Sequence, residues 1–215
     1  RYPGQALTRV PAKVSVTALT HGQQEALPAR PAFMSKSGLS GAERGTALHA
    51  FLQQADLARA AADPAAELAR QRAEQRIAPE LADQMDLDKL RAFFASGLFR
   101  RIQSAEKALR EYAFITALPA ARVAGESDPA LDGAVTLVQG VADLVLLFAD
   151  HAEIVDYKTD RRVTPPELIR RYGAQLRLYA RALAARLPVP VTRCTIYSFE
   201  LEQEIEVPKE QTESV

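Results

Sequence analysis

An α+β fold is predicted by three features of the sequence. Apolar residues recur at three- and four-residue spacing from about 41 to 105, which is helical periodicity. From about 109 the pattern changes to runs rich in Val, Ile, Thr, Tyr and Phe, which favour strands. A last helical period over 165–187 is followed by two more strand-like runs. Helices, then three strands, a helix and further strands is the order of an α+β chain.

Residues 1–39 read as a mostly irregular lead-in, punctuated by Pro3, Pro11, Pro28 and Pro31. Val14, Val16 and Thr17 suggest one short strand within it. Ser40 and Glu43 form an S-x-x-E capping box, which opens a helix over about 41–62. Leu48, Phe51, Leu52 and Ala55 give that helix its apolar face. Asp63-Pro64 starts a second helix to about 77, with Pro tolerated in the first turn. Asp86 is placed to cap a helix through Phe93 and Phe94 that stops near Gly97, and a short helix over 98–105 follows. Strands are expected over 109–118, 135–148 and 153–158, with a loop at 119–134. Pro165-Pro166 opens the long helix, and 189–199 and 200–207 close the sheet. The expected domain is 40–207, a helical block over about 41–105 and an αβ core over about 108–207, followed by a tail at 208–215.

Composition limits the function classes. Lys+Arg and Asp+Glu are 27 each, which argues against a strongly basic nucleic-acid binder. The distribution is uneven: residues 161–187 hold seven Arg and one Glu, while 200–213 hold six Glu and one Lys. Cys194 is the one cysteine. It excludes an internal disulfide and an iron–sulfur cluster held by four of the chain's own thiolates, and it fits a reducing compartment. No apolar run is long enough for a membrane span, no signal peptide is visible, and the expected location is cytoplasmic. There is no G-x-x-x-x-G-K-[ST] and hence no ATP site of that kind in this chain. The chain opens on Arg1 rather than Met, so a piece of a longer protein is expected.

The chemistry concentrates in 138–160. A two-residue turn at Ala149-Asp150 would make facing residue numbers sum to 299, so Asp143 would lie opposite Asp156. Like charges opposed on a sheet are destabilising. They sit among Val141, Leu144, Val145, Ile154 and Val155, which desolvate them. Lys158 shares the face of Asp156, and Tyr157 faces the other way. Two carboxylates and an ammonium form either a structural ion cluster or a site for Mg²⁺ or Mn²⁺ in which Lys158 acts on a phosphate or a water.

Other residues have the same two readings. His49 is a structural helix residue or a nitrogen ligand, with Gly45 leaving room one turn earlier. Glu111 is an exposed strand charge or a further acid near the metal. Gln175 and Tyr179, four apart, share a helix face; they are ordinary core and surface residues or position the catalytic strand. Arg170, Arg171, Arg177, Arg181 and Arg186 are a solvated face or phosphate contacts.

Gly45-Thr-Ala-Leu-His49, Arg110-Glu111, Gln139-Gly-Val-Ala-Asp143, Asp156-Tyr-Lys158-Thr-Asp160 and Gln175-Leu-Arg-Leu-Tyr179 together resemble the RecB-family nuclease domain, a branch of the PD-(D/E)XK superfamily. Within it the AddA-type helicase–nuclease subunits are most similar, over roughly residues 11–200. The resemblance implies a restriction-endonuclease-like core, a mixed sheet flanked by helices with an added helical block. It implies His49, Asp143, Asp156 and the backbone carbonyl of Tyr157 as Mg²⁺ or Mn²⁺ ligands, and Asp143, Asp156 and Lys158 as the catalytic set. Glu111, Gln175, Tyr179, Arg171 and Arg177 would support the site or position DNA. The implied activity is cleavage of a single-stranded DNA end fed by a helicase, with an AddB-like partner, during double-strand-break repair. A non-catalytic DNA- or partner-binding fragment and a stand-alone phage-type exonuclease are the alternatives.

Overall fold

A six-stranded mixed sheet separates two layers of helices, and the site lies where two of its strands part. The structure, a computed structural model, describes residues 10–21, 41–124 and 129–209. The expected capping residue Ser40 lies outside them.

The described chain begins with β1 (Lys13–Ser15) and α1 (Val16–His21). The expected strand through Val16 and Thr17 is therefore cut short. Ser15 is the reason, because its Oγ accepts from Ala18 N and caps a helix start instead.

The helical block is α2 (Gly41–Gln54), α3 (Leu57–Ala62), α4 (Pro64–Ala73), α5 (Pro79–Ala82), α6 (Leu87–Ala95) and α7 (Gly97–Ser104). One helix over 41–62 is thus two. Asp56 takes an extended backbone and its side chain accepts from Ala58 N and Arg59 N, starting α3 afresh. Asp63 does the same for α4. Buried Glu67 fastens this corner by accepting from Asp56 N at 3.0 Å and from Arg70. Those hydrogen bonds, Arg70 foremost, hold its carboxyl down to about 2. Asp86 caps α6 as expected.

The sheet is built from β2 (Lys107–Pro119), β3 (Val135–Leu147), β4 (Ala152–Lys158), β5 (Val191–Ser198) and β6 (Gln203–Glu206) together with β1. A short α8 (Ala120–Ala124) occupies part of the expected loop, and α9 (Pro165–Ala184) is the long helix. Glu167 accepts from Thr164 N at 2.8 Å and closes the first turn of α9. The two closing strands are separated by a turn at 199–202, where Glu202 has φ +52°.

β2 pairs antiparallel with β3 at every residue except Glu111. The other edge of β3 is shared: β1 pairs with Leu137–Gln139 and β4 with Leu144–Leu147. Between them, 140–143 of β3 has no strand partner on that edge among the described residues. The β3–β4 ladder runs Leu144↔Val155 to Leu147↔Ala152, and Phe148 N donates to His151 O across a two-residue loop. All these pairs sum to 299, the register assumed from the sequence.

One apolar layer joins the helical block to Leu144, Leu146, Val155, Tyr157, Tyr197 and Phe199. Phe93 is its centre, with ring contacts to Phe94, Phe99, Tyr157, Tyr197 and Phe199. The other layer joins α9 and Val16 to Phe114, Val138, Ala142, Val145, Ile154 and Ile196.

Candidate metal centre

Side-chain alternation breaks where the two layers meet. Ala142 and Val145 of β3 face the α9 layer, and so do Leu109 and Tyr112 of β2. Residues three apart cannot share a face of a regular strand. The irregularity is Glu111, whose φ is +50°, together with Asp143 opposite it. The ladder pairs Arg110↔Leu144 and Tyr112↔Ala142 but skips 111 and 143. A left-handed Glu is strained, and such strain persists where the surroundings enforce it. Here it turns two acidic side chains toward α2.

His49 of α2 meets them. Its Nδ1 lies 3.5 Å from Asp143 Oδ1 and 3.9 Å from Glu111 Oε1. Its Nε2 lies 3.1 Å from the carbonyl oxygen of Tyr157. In the tautomer protonated at Nε2, that nitrogen donates to Tyr157 O, and Nδ1 presents its lone pair to the carboxylates. His49, Glu111 and Asp143 each offer a ligand atom, all within 4.8 Å of one another. His49 and Glu111 border an open groove of about 380 Å³ lined also by Gly45, Thr46, Ala50 and Gln53.

Backbone contacts hold the helix to the strands. Arg110 Nη1 donates to Leu52 O and Ala55 O at 2.9 and 2.7 Å, a cation on the C-terminal carbonyls of α2. Gly45 faces Thr159, whose Oγ1 would lie 3.2 Å from an added Cβ. The space at Gly45 thus serves close approach of α2 to the end of β4, while the His49 ring packs edge-on to Tyr157, centroids 6.0 Å apart.

Asp143, across from Asp156 in the register expected from the sequence, falls just past the last ladder pair, Leu144↔Val155. Its Oδ2 accepts from Tyr157 N at 2.7 Å and its Oδ1 turns to His49. The β3–β4 ladder has ended one step earlier, so that N–H is free to take a side-chain acceptor. Asp156 instead points toward α9. Gln175 Nε2 approaches Asp156 Oδ1 at 3.4 Å and donates to Tyr179 OH at 3.0 Å. Lys158 Nζ lies 2.5 Å from Asp156 Oδ2, on the shared face that alternation predicts.

Tyr179 also touches the motif glycine of β3. A Cβ at Gly140 would lie 2.5 Å from Phe114 Cζ and 3.0 Å from Tyr179 Cε1. Arg171 is committed to Asp160 at 3.1 Å. Arg177 lines a separate groove of about 300 Å³ with Arg181, Arg193, Cys194 and Lys209. Sequence reasoning gave Tyr172 no part in the site. Its ring lies 4.4 Å from Lys158 Nζ, and its position on α9 three residues before Gln175 was the available signal.

The electrostatics favour a cation. Burial, and then the charge of Asp156, push the Asp143 carboxyl up to about 6; His49, Lys158 and the Tyr157 N–H oppose this. Burial works against the Lys158 ammonium, but Asp156 and Asp143 outweigh it and raise its pKa. Asp156 Oδ2 is buried with no hydrogen bond aligned on it. Imidazole, carboxylate and carbonyl donors around charges that repel one another fit Mg²⁺ or Mn²⁺.

The family model of the PD-(D/E)XK nuclease superfamily matches residues 20–214. An ATP-dependent helicase/nuclease subunit of the A type from Geobacillus thermodenitrificans is 37% identical over 185 residues, covering 80% of this chain and 15% of that protein. The proteins of the same name from Moorella thermoacetica and Pelotomaculum thermopropionicum are 36% and 35% identical over 85% and 93% of this chain, and 14% and 17% of theirs. The chain thus spans about 15% of the length of the curated relatives it matches. With the family model covering nearly all of the sequence, the chain belongs to the PD-(D/E)XK nuclease superfamily.

Proposed function

We propose that this chain is the nuclease domain of a bacterial helicase–nuclease, and that it hydrolyses DNA phosphodiester bonds with Mg²⁺ or Mn²⁺. The observation that carries it is the convergence of His49, Glu111 and Asp143 beside the Asp156–Lys158 pair. His49, Asp143, Asp156 and the Tyr157 carbonyl would hold the cation, and Glu111 stands within reach of the same place. A bound cation would polarise the scissile phosphate and lower the pKa of an attacking water. Lys158, kept protonated by Asp156 and Asp143, sets a positive charge where a phosphate would gain negative charge. Gln175 and Tyr179 orient Asp156 from α9. The Arg177, Arg181, Arg193 and Lys209 groove supplies a route for backbone phosphates.

The relatives are named as ATP-dependent helicase/nuclease subunits, which supports a parent with a motor elsewhere and a single-stranded end as substrate. A role in break repair, an AddB-like partner and a cytoplasmic location belong to the same reading. No helix among the described residues is long and apolar enough to cross a membrane.

The test is calorimetric titration of Mn²⁺ into wild type and Asp156→Ala, with cleavage of labelled single-stranded DNA in the same samples. Metal binding and cleavage by wild type, both lost in the variant, are expected. Wild-type cleavage that persists in Asp156→Ala overturns the site assignment. Metal binding without cleavage makes this a binding module rather than a working nuclease.

A further inference from the structure

Two of the groups beside Lys158 differ in kind. Asp156 Oδ2, 2.5 Å away, belongs to a carboxylate that the proposed cation would draw on. The Tyr172 ring, with its centroid 4.4 Å from Nζ, shares no atom with any ligand. An ammonium over an aromatic face is attracted by the ring's quadrupole, more strongly where water is excluded. Lys158 is in such a place, with its side chain 16% exposed.

The ring is itself fastened. Tyr172 OH donates to Asp160, 2.9 Å from Oδ1 and 3.1 Å from Oδ2. Arg171 Nη1 holds the same carboxylate at 3.1 Å. Asp160 follows Lys158 by two residues, so a short loop is closed: strand end, Asp160, Tyr172 hydroxyl, Tyr172 ring, and back to the Lys158 ammonium. Tyr172 also lies one helical turn from Gln175, so a single face of α9 serves both ends of the Asp156–Lys158 pair.

We propose that Tyr172 is a positioning residue for Lys158: its ring, anchored by Asp160, holds the ammonium in place independently of the Asp156 carboxylate. The contact stands on the geometry alone. Its consequence for cleavage rests on the nuclease reading above.

The experiment reads contact and consequence separately. In metal-free protein, the ε-methylene proton signals of Lys158, assigned by their loss in Lys158→Ala, should be shifted upfield by the ring current. Tyr172→Phe keeps the ring and should keep the shift. Tyr172→Leu should return the signals to ordinary lysine positions. Asp160→Ala, which leaves the ring and the helix interior intact, should reduce the shift, and it serves if the Leu variant fails to fold.

In cleavage of single-stranded DNA with Mn²⁺, Tyr172→Leu should lower kcat by up to about 10²-fold, the cost of misplacing a reacting group by about 1 Å. KM and calorimetric Mn²⁺ affinity should be unchanged, and Tyr172→Phe should recover most of kcat. Unshifted Lys158 signals in wild type overturn the contact. Equal kcat in the Leu and wild-type proteins overturns the positioning role. A wild type that shows the shift and cuts no DNA overturns the nuclease reading and leaves the contact as structure only.

Discussion

Replacing Asp143 by Asn should stabilise the metal-free protein at neutral pH, although Asp143 is a proposed ligand. Burial and the neighbouring charge of Asp156 raise this carboxyl from its ordinary 3.8 to about 6. A raised acid contributes stability that is complete below pH 3.8 and is lost as pH rises through 6. Above that, the fold bears the cost of a buried carboxylate. Two pH units at about 1.4 kcal/mol each set an upper bound of about 3 kcal/mol. Asn has no charge to bury and keeps an oxygen to accept from Tyr157 N, the 2.7 Å contact that Asp143 makes. It gives up the attraction of His49 and Lys158, so the net gain is smaller, about 1–2 kcal/mol. Urea unfolding of both proteins in chelator at pH 5 and pH 8 measures it. The variant should be the more stable at pH 8, and the difference should shrink toward pH 5. Mn²⁺ should raise the midpoint of wild type and leave the variant unmoved. A variant less stable than wild type at pH 8 without metal would refute the reasoning, because the pocket would then be satisfying the charge unaided.

Two further outcomes follow from the same geometry. Gly140→Ala puts a Cβ within 2.5 Å of Phe114 and 3.0 Å of Tyr179; it should cost about 1–3 kcal/mol by urea unfolding, the usual penalty for overpacking. Glu111→Gly relieves a left-handed backbone at φ +50° and should stabilise the metal-free protein by about 1 kcal/mol, while Mn²⁺ affinity falls in calorimetry; unchanged affinity would remove Glu111 from the site.

Much of the sheet and its register was legible because the signals are local. Ala149-Asp150 lies between two β-rich runs, and a two-residue loop permits one register, the one observed at Leu144↔Val155. Asp63 and Asp86 were readable as caps because each precedes a helical run, and both serve as caps. Asp56 obeys the same rule but interrupts an apolar stripe that continues on both sides of it. Periodicity carried the expected helix across the break, while the buried Glu67 that enforces the break is contributed by the next helix.

The arrangement of the acids was not legible, and Glu111 shows why. The turn register placed Asp143 against Asp156, and strand alternation then assigns faces by counting in twos. One left-handed residue shifts the count, and nothing about a Glu in sequence marks it as left-handed, whereas a Gly would have done so. The shift is enforced from outside β2: Arg110, one residue earlier, reaches Leu52 O and Ala55 O of the helical block, while Tyr112, one residue later, packs in the α9 layer. Adjacent residues on a regular strand do face opposite ways. Leu109 and Tyr112, however, must both reach the same layer, and a strand can meet that demand only by breaking its alternation between them. The break falls at Glu111 and, across the ladder, at Asp143. The two carboxylates thus reach His49 because the two apolar layers compete for the same strand, and the proposed metal centre lies at the point where neither layer takes the side chain.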